Sequence, residues 1–154
     1  VATALRPRLP TDFRLVSSPA SRCLDLAHML APAPLIDDRL TEIDFGDWEL
    51  RRFDDLPRAD IDRWTADAWG FHPPRGESAD AMARRVRAAW LDFGAASPDS
   101  WMIVSHGGPL RVIAGTLLGL PREDWLGIDC PQGGLLRLTL SNDGTRARLD
   151  GTCK

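Results

Sequence analysis

The chain has 154 residues, a net charge of −3 and 44% hydrophobic residues, which fits one domain around one core. No global basic field argues for nucleic acid, and no apolar run approaches membrane-spanning length. Cys23, Cys130 and Cys153 are widely spaced, odd in number and form no Cys-x-x-Cys, which argues against a disulfide framework or a zinc site and for a reducing compartment. The N-terminus carries no basic-then-apolar signal, so the chain reads as cytoplasmic. Lys154 is the only lysine; the positive charge is almost all arginine, the better fork for carboxylate or phosphate.

In chain order, Val1 to Leu9 reads as the end of a helix closed by Pro10, and Phe13 to Val16 as a short strand. Ser17-Ser18-Pro19 follows, with Ser18 as the N-cap and Pro19 at the first position of a helix running to Leu30. Arg22 lies in its first turn and leans back over the strand end. A cation at a helix N-terminus opposes the dipole, and a bound anion would remove the conflict. His28, later in the same helix, reads as a surface or packing residue.

Leu35-Ile36 is a second short strand. Residues 37 to 49 then hold six acidic residues interleaved with Leu40, Ile43, Phe45 and Trp48. Most read as a solvated acidic loop. Glu42 and Asp44 alternate in phase and Gly46 permits a close backbone approach, so one of these carboxylates is a candidate to point into a cleft. Arg51 to Arg75 predicts one helix, from about Leu56 to Ala68, then a loop. This excursion, about 48–76, covers a site rather than forming a second domain; its tryptophans read as packing more than as ligand platforms, and His72 as a lesser candidate to face a substrate.

Ser78 caps a clear helix. Ala79, Met82, Ala83, Val86, Ala89, Trp90 and Phe93 form its buried face, and Arg84, Arg85 and Arg87 its solvated side. Gly94 and Pro98 end it. Trp101 to Ser105 is apolar and partly β-branched and reads as a buried strand. Gly107 and Gly108 then allow a sharp turn, with Pro109 opening a helix that stops at Gly119. Arg122 to Leu126 is a helical turn. Gly134 to Leu140 reads as a strand, Ser141-Asn142-Asp143-Gly144 as a turn and Thr145 to Leu149 as an edge strand. Strands alternating with helices, plus a terminal hairpin, predict an α/β sandwich.

His106 sits where a strand gives way to a helix, beside helical N–H groups without intrahelical partners. Such a corner suits a phosphate, and Arg22 occupies the same strand–turn–helix layout. Arg22, His106 and the Gly107 N–H suit a phosphoryl group, and a carboxyl group such as Glu42 suits proton transfer to or from an ester oxygen. Ser105 and His106 are sequence neighbours whose side chains leave a strand on opposite faces, so they are not a serine–histidine pair. His106-Gly107-Gly108 lacks the Gly-Lys-Ser/Thr of a P-loop, and no His/Asp cluster has metal spacing.

On Ser17-Ser18-Pro19-Ala20-Ser21-Arg22, the stretch Leu40 to Trp48, the stretch Pro73 to Ser78 and Val104-Ser105-His106-Gly107-Gly108, the chain resembles the histidine phosphatase superfamily. These stretches occur in family order and spacing across nearly the whole chain. The resemblance implies a three-layer α/β/α sandwich of the phosphoglycerate mutase type, its central sheet mostly parallel with a C-terminal hairpin, as one domain over 1–154. The second and third stretches look most like the small bacterial branch of α-ribazole 5′-phosphate phosphatases and broad phosphomonoesterases. It further implies that Arg22 and Gly107 bind phosphate, that His106 hydrogen-bonds the transferred phosphoryl and that Glu42 is the proton donor and then the base for water. The reaction would pass through a phosphohistidine with no metal and no cofactor. The partner would be a small phosphorylated metabolite, neither nucleic acid nor membrane, with a homodimer left open.

One departure stands out. The family's nucleophile lies in an Arg-His-Gly motif on a central first strand, and this sequence has no such motif. The expectation is therefore an N-terminally incomplete domain, with exposed strand edges where that strand would lie and no phosphohistidine on these 154 residues alone. Two alternatives stay open: a mutase-type phosphotransferase, and a non-catalytic phosphate-binding module.

Overall fold

A computed structural model of the chain describes residues 1–94, 100–141 and 147–153. It begins with a short helix, α1 (Ala2–Leu5), and a 3₁₀ turn over Arg6–Arg8. Strand β1 (Arg14–Ser17) leads into α2 (Ser21–Leu30) and β2 (Leu35–Ile36). The acidic segment carries 3₁₀ turns at Asp38–Leu40 and Gly46–Trp48, and the excursion carries a third at Phe53–Asp55 and α3 (Arg58–Ala66), shorter at both ends than expected. Then come α4 (Ala79–Phe93), β3 (Trp101–Val104), α5 (Gly107–Leu118), β4 (Leu135–Leu140) and β5 (Ala147–Cys153). Pro98 and the Asn142-Asp143-Gly144 turn lie outside the described residues.

β1 is the middle of a parallel sheet in the order β2-β1-β3. Its register sets Leu15 beside Met102 and Val16 beside Ile103. Strand side chains alternate between faces, and the packing follows that alternation. Leu15, Met102 and Val104 pack with Cys23, Ala27 and Leu30 of α2 on one face. Val16, Ile103 and Trp101 pack with Val86 and Ala89 of α4 and Val112 and Ile113 of α5 on the other. Helices on both sides of a mainly parallel sheet make the α/β/α sandwich. The apolar runs of β1 and β3 are the signature of strands buried on both faces.

The hairpin β4–β5 is antiparallel and forms a sheet of its own, with an irregularity between Arg137 and Leu138. Among the described residues β3 has no strand on its outer edge, so the hairpin does not extend the central sheet. β5 also runs four residues past the expected Leu149. Among the described residues no helix is long and apolar enough to cross a membrane.

Two caps differ from expectation. Ser18 does not cap α2: Ala20 holds the N-cap position without a side-chain bond, and the Ser18 hydroxyl, which accepts from the Ala20 N–H at 3.3 Å, pairs with His106. The helix after β3 opens at Gly107, with extended His106 as its N-cap and Leu110 N–H donating to the His106 carbonyl (3.0 Å). Gly107 and Gly108 are thus the first helical turn rather than a bend before it. At the other end α5 stops as expected, at left-handed Gly119. Ser78 caps α4 as expected, accepting from the Ala81 N–H at 3.1 Å.

Candidate active site

The ends of β1 and β3 are neighbours in the parallel sheet, Ser17 beside Val104, so the turns that follow them share one corner. Arg22 and His106 meet there. The Arg22 guanidinium donates to His106 Nδ1 at 2.8 Å. An arginine is always protonated and cannot accept, so Nδ1 is the bare nitrogen and Nε2 carries the proton. Nε2 in turn donates to the Ser18 hydroxyl at 2.9 Å. Ser18 is fully buried and His106 is 8% exposed. Burial first, and the Arg22 charge second, hold the imidazole below its ordinary pKa. Cys23 lies 3.7 Å from Nε2, but burial pushes its thiol up and away from the reactive thiolate.

Glu42 enters the same corner from the acidic segment. Its Oε1 accepts from the Ile43 N–H (3.0 Å) and its Oε2 from the Gly108 N–H (3.3 Å). A carboxylate at an open helix N-terminus meets unpaired donors and the positive end of the dipole. Asp44, in phase with it, points outward and accepts from the Gly46 N–H. Gly108 makes the approach possible: a methyl group there would fall 2.3 Å from Glu42 Oε1. The four site residues expected from the sequence, Arg22, Glu42, His106 and Gly107, are therefore gathered at the ends of two adjacent strands. His28 and His72 are exposed, and neither is hydrogen-bonded to Arg22, Glu42 or His106 among the described residues.

The Glu42 segment is held from behind by Arg85, which the helical pattern had assigned to the solvated side of α4. Its Nη1 donates to the carbonyls of Arg39 (2.7 Å) and Thr41 (2.8 Å), and its Nη2 to that of Glu42 (3.1 Å). The remaining donors pair with Glu77. Arg85 is half-buried because the chain around Glu42 crosses over it; its place three residues after Met82, at the border of the apolar stripe, is the only sequence signal. The two glycine-bearing stretches lock together beside it. Gly46 has φ +53, and a methyl group there would lie 2.3 Å from the Pro74 carbonyl oxygen. Asp47 N–H donates to Pro74 and Glu77 N–H to the Asp44 carbonyl, both at 2.9 Å.

Next to the corner the excursion walls a cavity of about 180 Å³. Phe45, Trp48, Trp64, Trp69, Phe71 and Trp125 line it, and it reaches the corner through Ile43 and Gly108. The tryptophans expected to serve mainly as packing are thus cavity walls. Arg22, His106 and Glu42 are not among the lining residues, so a polar corner and an apolar cavity lie side by side, joined at Gly108.

Residues 1–151 match the model of the histidine phosphatase superfamily, branch 1. The fold is similar to a mycobacterial glucosyl-3-phosphoglycerate phosphatase in complex with VO3, at TM-score 0.77 and 28% identity, covering 97% of this chain and 79% of that one. It is similar to the α-ribazole phosphatase of Shigella flexneri at TM-score 0.80 and 28% identity, covering 96% and 77%. Among curated sequences, the adenosylcobalamin/α-ribazole phosphatase of Escherichia coli is 32% identical over 106 residues, which are 65% of this chain and 51% of that protein. The chain spans about two thirds of the length of one curated relative, from Hydrogenobacter thermophilus (67%), and about a third of another, from Mycobacterium bovis (34%).

Proposed function

The chain belongs to the histidine phosphatase superfamily, branch 1, and from that membership we propose that it is a phosphoric monoester hydrolase. The observation that carries this reading is the Arg22–His106 hydrogen bond. It joins a guanidinium and an imidazole at a helix start, the donor set a phosphoryl oxyanion needs. In the proposed reaction the phosphoryl group takes over the Arg22 donors that His106 Nδ1 accepts here; Nδ1 then takes up a proton and donates to the same oxyanion, and the Gly107 N–H completes the cradle. Electrostatic stabilisation of the transferred group is then preorganised. Glu42 protonates the departing alkoxide as the P–O bond breaks, and then takes a proton from the water that attacks the phosphohistidine.

That route needs a second imidazole in line with the leaving oxygen. Among the described residues neither His28 nor His72 is hydrogen-bonded into the corner, and in this reading the 154 residues by themselves bind the phosphoryl group without forming the adduct. The aromatic cavity beside Gly108 favours an alcohol with a planar or apolar body, a class that includes α-ribazole 5′-phosphate, over a small triose.

A panel of phosphate esters, assayed with and without EDTA on the full encoded protein rather than on these 154 residues alone, tests the reading. Hydrolysis that survives chelation, with an acid-labile phosphoryl-enzyme trapped in rapid quench, is the expected result. Loss of all activity on chelation would contradict the metal-free route, and phosphate binding without turnover would favour a binding module. Detection of phosphohistidine on the 154-residue chain alone would overturn the assignment of the nucleophile to a residue outside this corner.

A further inference from the structure

Two charged side chains line the aromatic cavity, Glu77 and Arg111. Glu77 is neutralised by Arg85. Arg111 has no counter-charge in hydrogen-bond or ion-pair contact among the described residues. Its Nε donates to the Ile128 carbonyl at 3.0 Å, and its two terminal nitrogens have no hydrogen-bond or ion-pair partner among the described residues. The side chain folds back along α5 toward the helix start, so that a methyl group on Gly107 would come 2.7 Å from Nη1. A half-buried guanidinium against apolar walls is costly to leave without a counter-charge. Held over the positive end of its own helix, it is doubly unfavourable. The one bond to Ile128 fixes the plane of the fork and leaves its outer edge free.

We propose that Arg111 is a specificity-determining residue that reads a second anionic group, a carboxylate, on the alcohol part of the substrate. The proposal rests on the phosphatase reading, in which the phosphoryl group itself occupies the Arg22–His106 corner. The substrate class is then a phosphate monoester whose alcohol carries an apolar or aromatic body with an acidic substituent. Its body lies against Trp48, Trp69 and Phe71, its phosphate at the corner, and its carboxylate against the Arg111 fork at the seam between them. A bidentate carboxylate on a fixed guanidinium is both strong and geometrically selective.

The test is calorimetric titration of the 154-residue chain with inorganic phosphate, phenyl phosphate and carboxyphenyl phosphate. The wild type should bind carboxyphenyl phosphate at least tenfold tighter than phenyl phosphate. Arg111→Met, which keeps the apolar stem, should abolish that preference and leave the affinity for inorganic phosphate unchanged. The wild type also gives a readout without substitution: the Arg111 guanidinium ¹⁵N signals should shift with carboxyphenyl phosphate and stay put with phenyl phosphate. Equal affinity of the two esters for the wild type, or silent Arg111 signals, would overturn the proposal and leave the phosphatase reading intact. So would a preference that persists in Arg111→Met. An equal loss of inorganic phosphate in Arg111→Met would instead place Arg111 on the phosphoryl group, against the proposal. Failure of all three probes to bind would sink the phosphatase reading and this inference with it.

Discussion

Replacing Gly108 by alanine should separate the chemistry of this site from its folding. The new methyl would stand 2.3 Å from Glu42 Oε1 and 3.0 Å from Met82 Sδ. An ordinary carbon–oxygen contact is about 3.3 Å or longer, so the carboxylate has to retreat by about 1 Å. That atom is the far end of a flexible side chain, so the fold can yield there. Alanine also favours a helical position over glycine by about 1 kcal/mol, which offsets the crowding against Met82. The melting temperature should therefore change by only a few degrees. A displacement of about 1 Å in a proton donor, in contrast, is worth about a hundredfold in rate, or about 2.7 kcal/mol of transition-state stabilisation. The assay compares kcat/KM, which reports phosphoryl transfer and not the later hydrolysis of the phosphohistidine, for an alkyl phosphate, whose alkoxide needs a proton as it leaves, and for p-nitrophenyl phosphate, whose phenolate does not. In enzyme first shown to hydrolyse both, Gly108→Ala should lose about a hundredfold on the alkyl ester and much less on the nitrophenyl ester. Unchanged turnover, or equal losses on the two esters, would refute the assignment of Glu42 as the acid.

The other predictions concern the corner and its support. Arg22→Ala should cost orders of magnitude in kcat/KM and in affinity for inorganic phosphate; wild-type turnover in that variant would remove Arg22 from the site. Arg85→Met removes three bonds to backbone carbonyls and the Glu77 pair. Loss of about 3 kcal/mol is expected, a fall in melting temperature of about 6–12 °C for a chain of this size. Arg85→Lys should restore little of it, since a point charge cannot span three carbonyls. His106, held neutral by burial and by Arg22, has a folded pKa below its unfolded value. The unfolded chain therefore binds more protons between the two values. The His106 contribution to stability should be complete above about 6.5, the ordinary value, fall as pH drops below it, and level off beneath the native value. Urea melts of the wild type and His106→Gln across that range should diverge with this sign.

Much of the architecture was legible in the chain. The apolar run Trp101 to Val104 and its mate Leu15-Val16 are strands because β-branched and bulky residues on both faces suit only a sheet covered twice. Ser78 and Gly119 mark helix ends through local chemistry, a hydroxyl acceptor and a left-handed backbone. The strand–turn–helix layout shared by Arg22 and His106 was also legible, while the adjacency of their two strands, Ser17 beside Val104, came with the fold. What local pattern could not show was which contacts cross between distant segments. Ser18 looks like a cap until the His106 ring arrives from 88 residues away. Arg85 looks solvated until the Glu42 segment folds over it. The tryptophans of the excursion read as packing because an aromatic ring carries the same signal whether it fills a core or walls a cavity. Gly108 is a helix position by its neighbours, and its necessity comes only from a carboxylate 66 residues upstream. Local sequence thus determined the elements and the ends of the strands at which the site assembles, because propensity and periodicity act over a few residues. The tertiary structure alone decided the tautomer of His106, the seat of Glu42 and the free fork of Arg111, because each depends on a partner that only chain crossing brings within bonding distance.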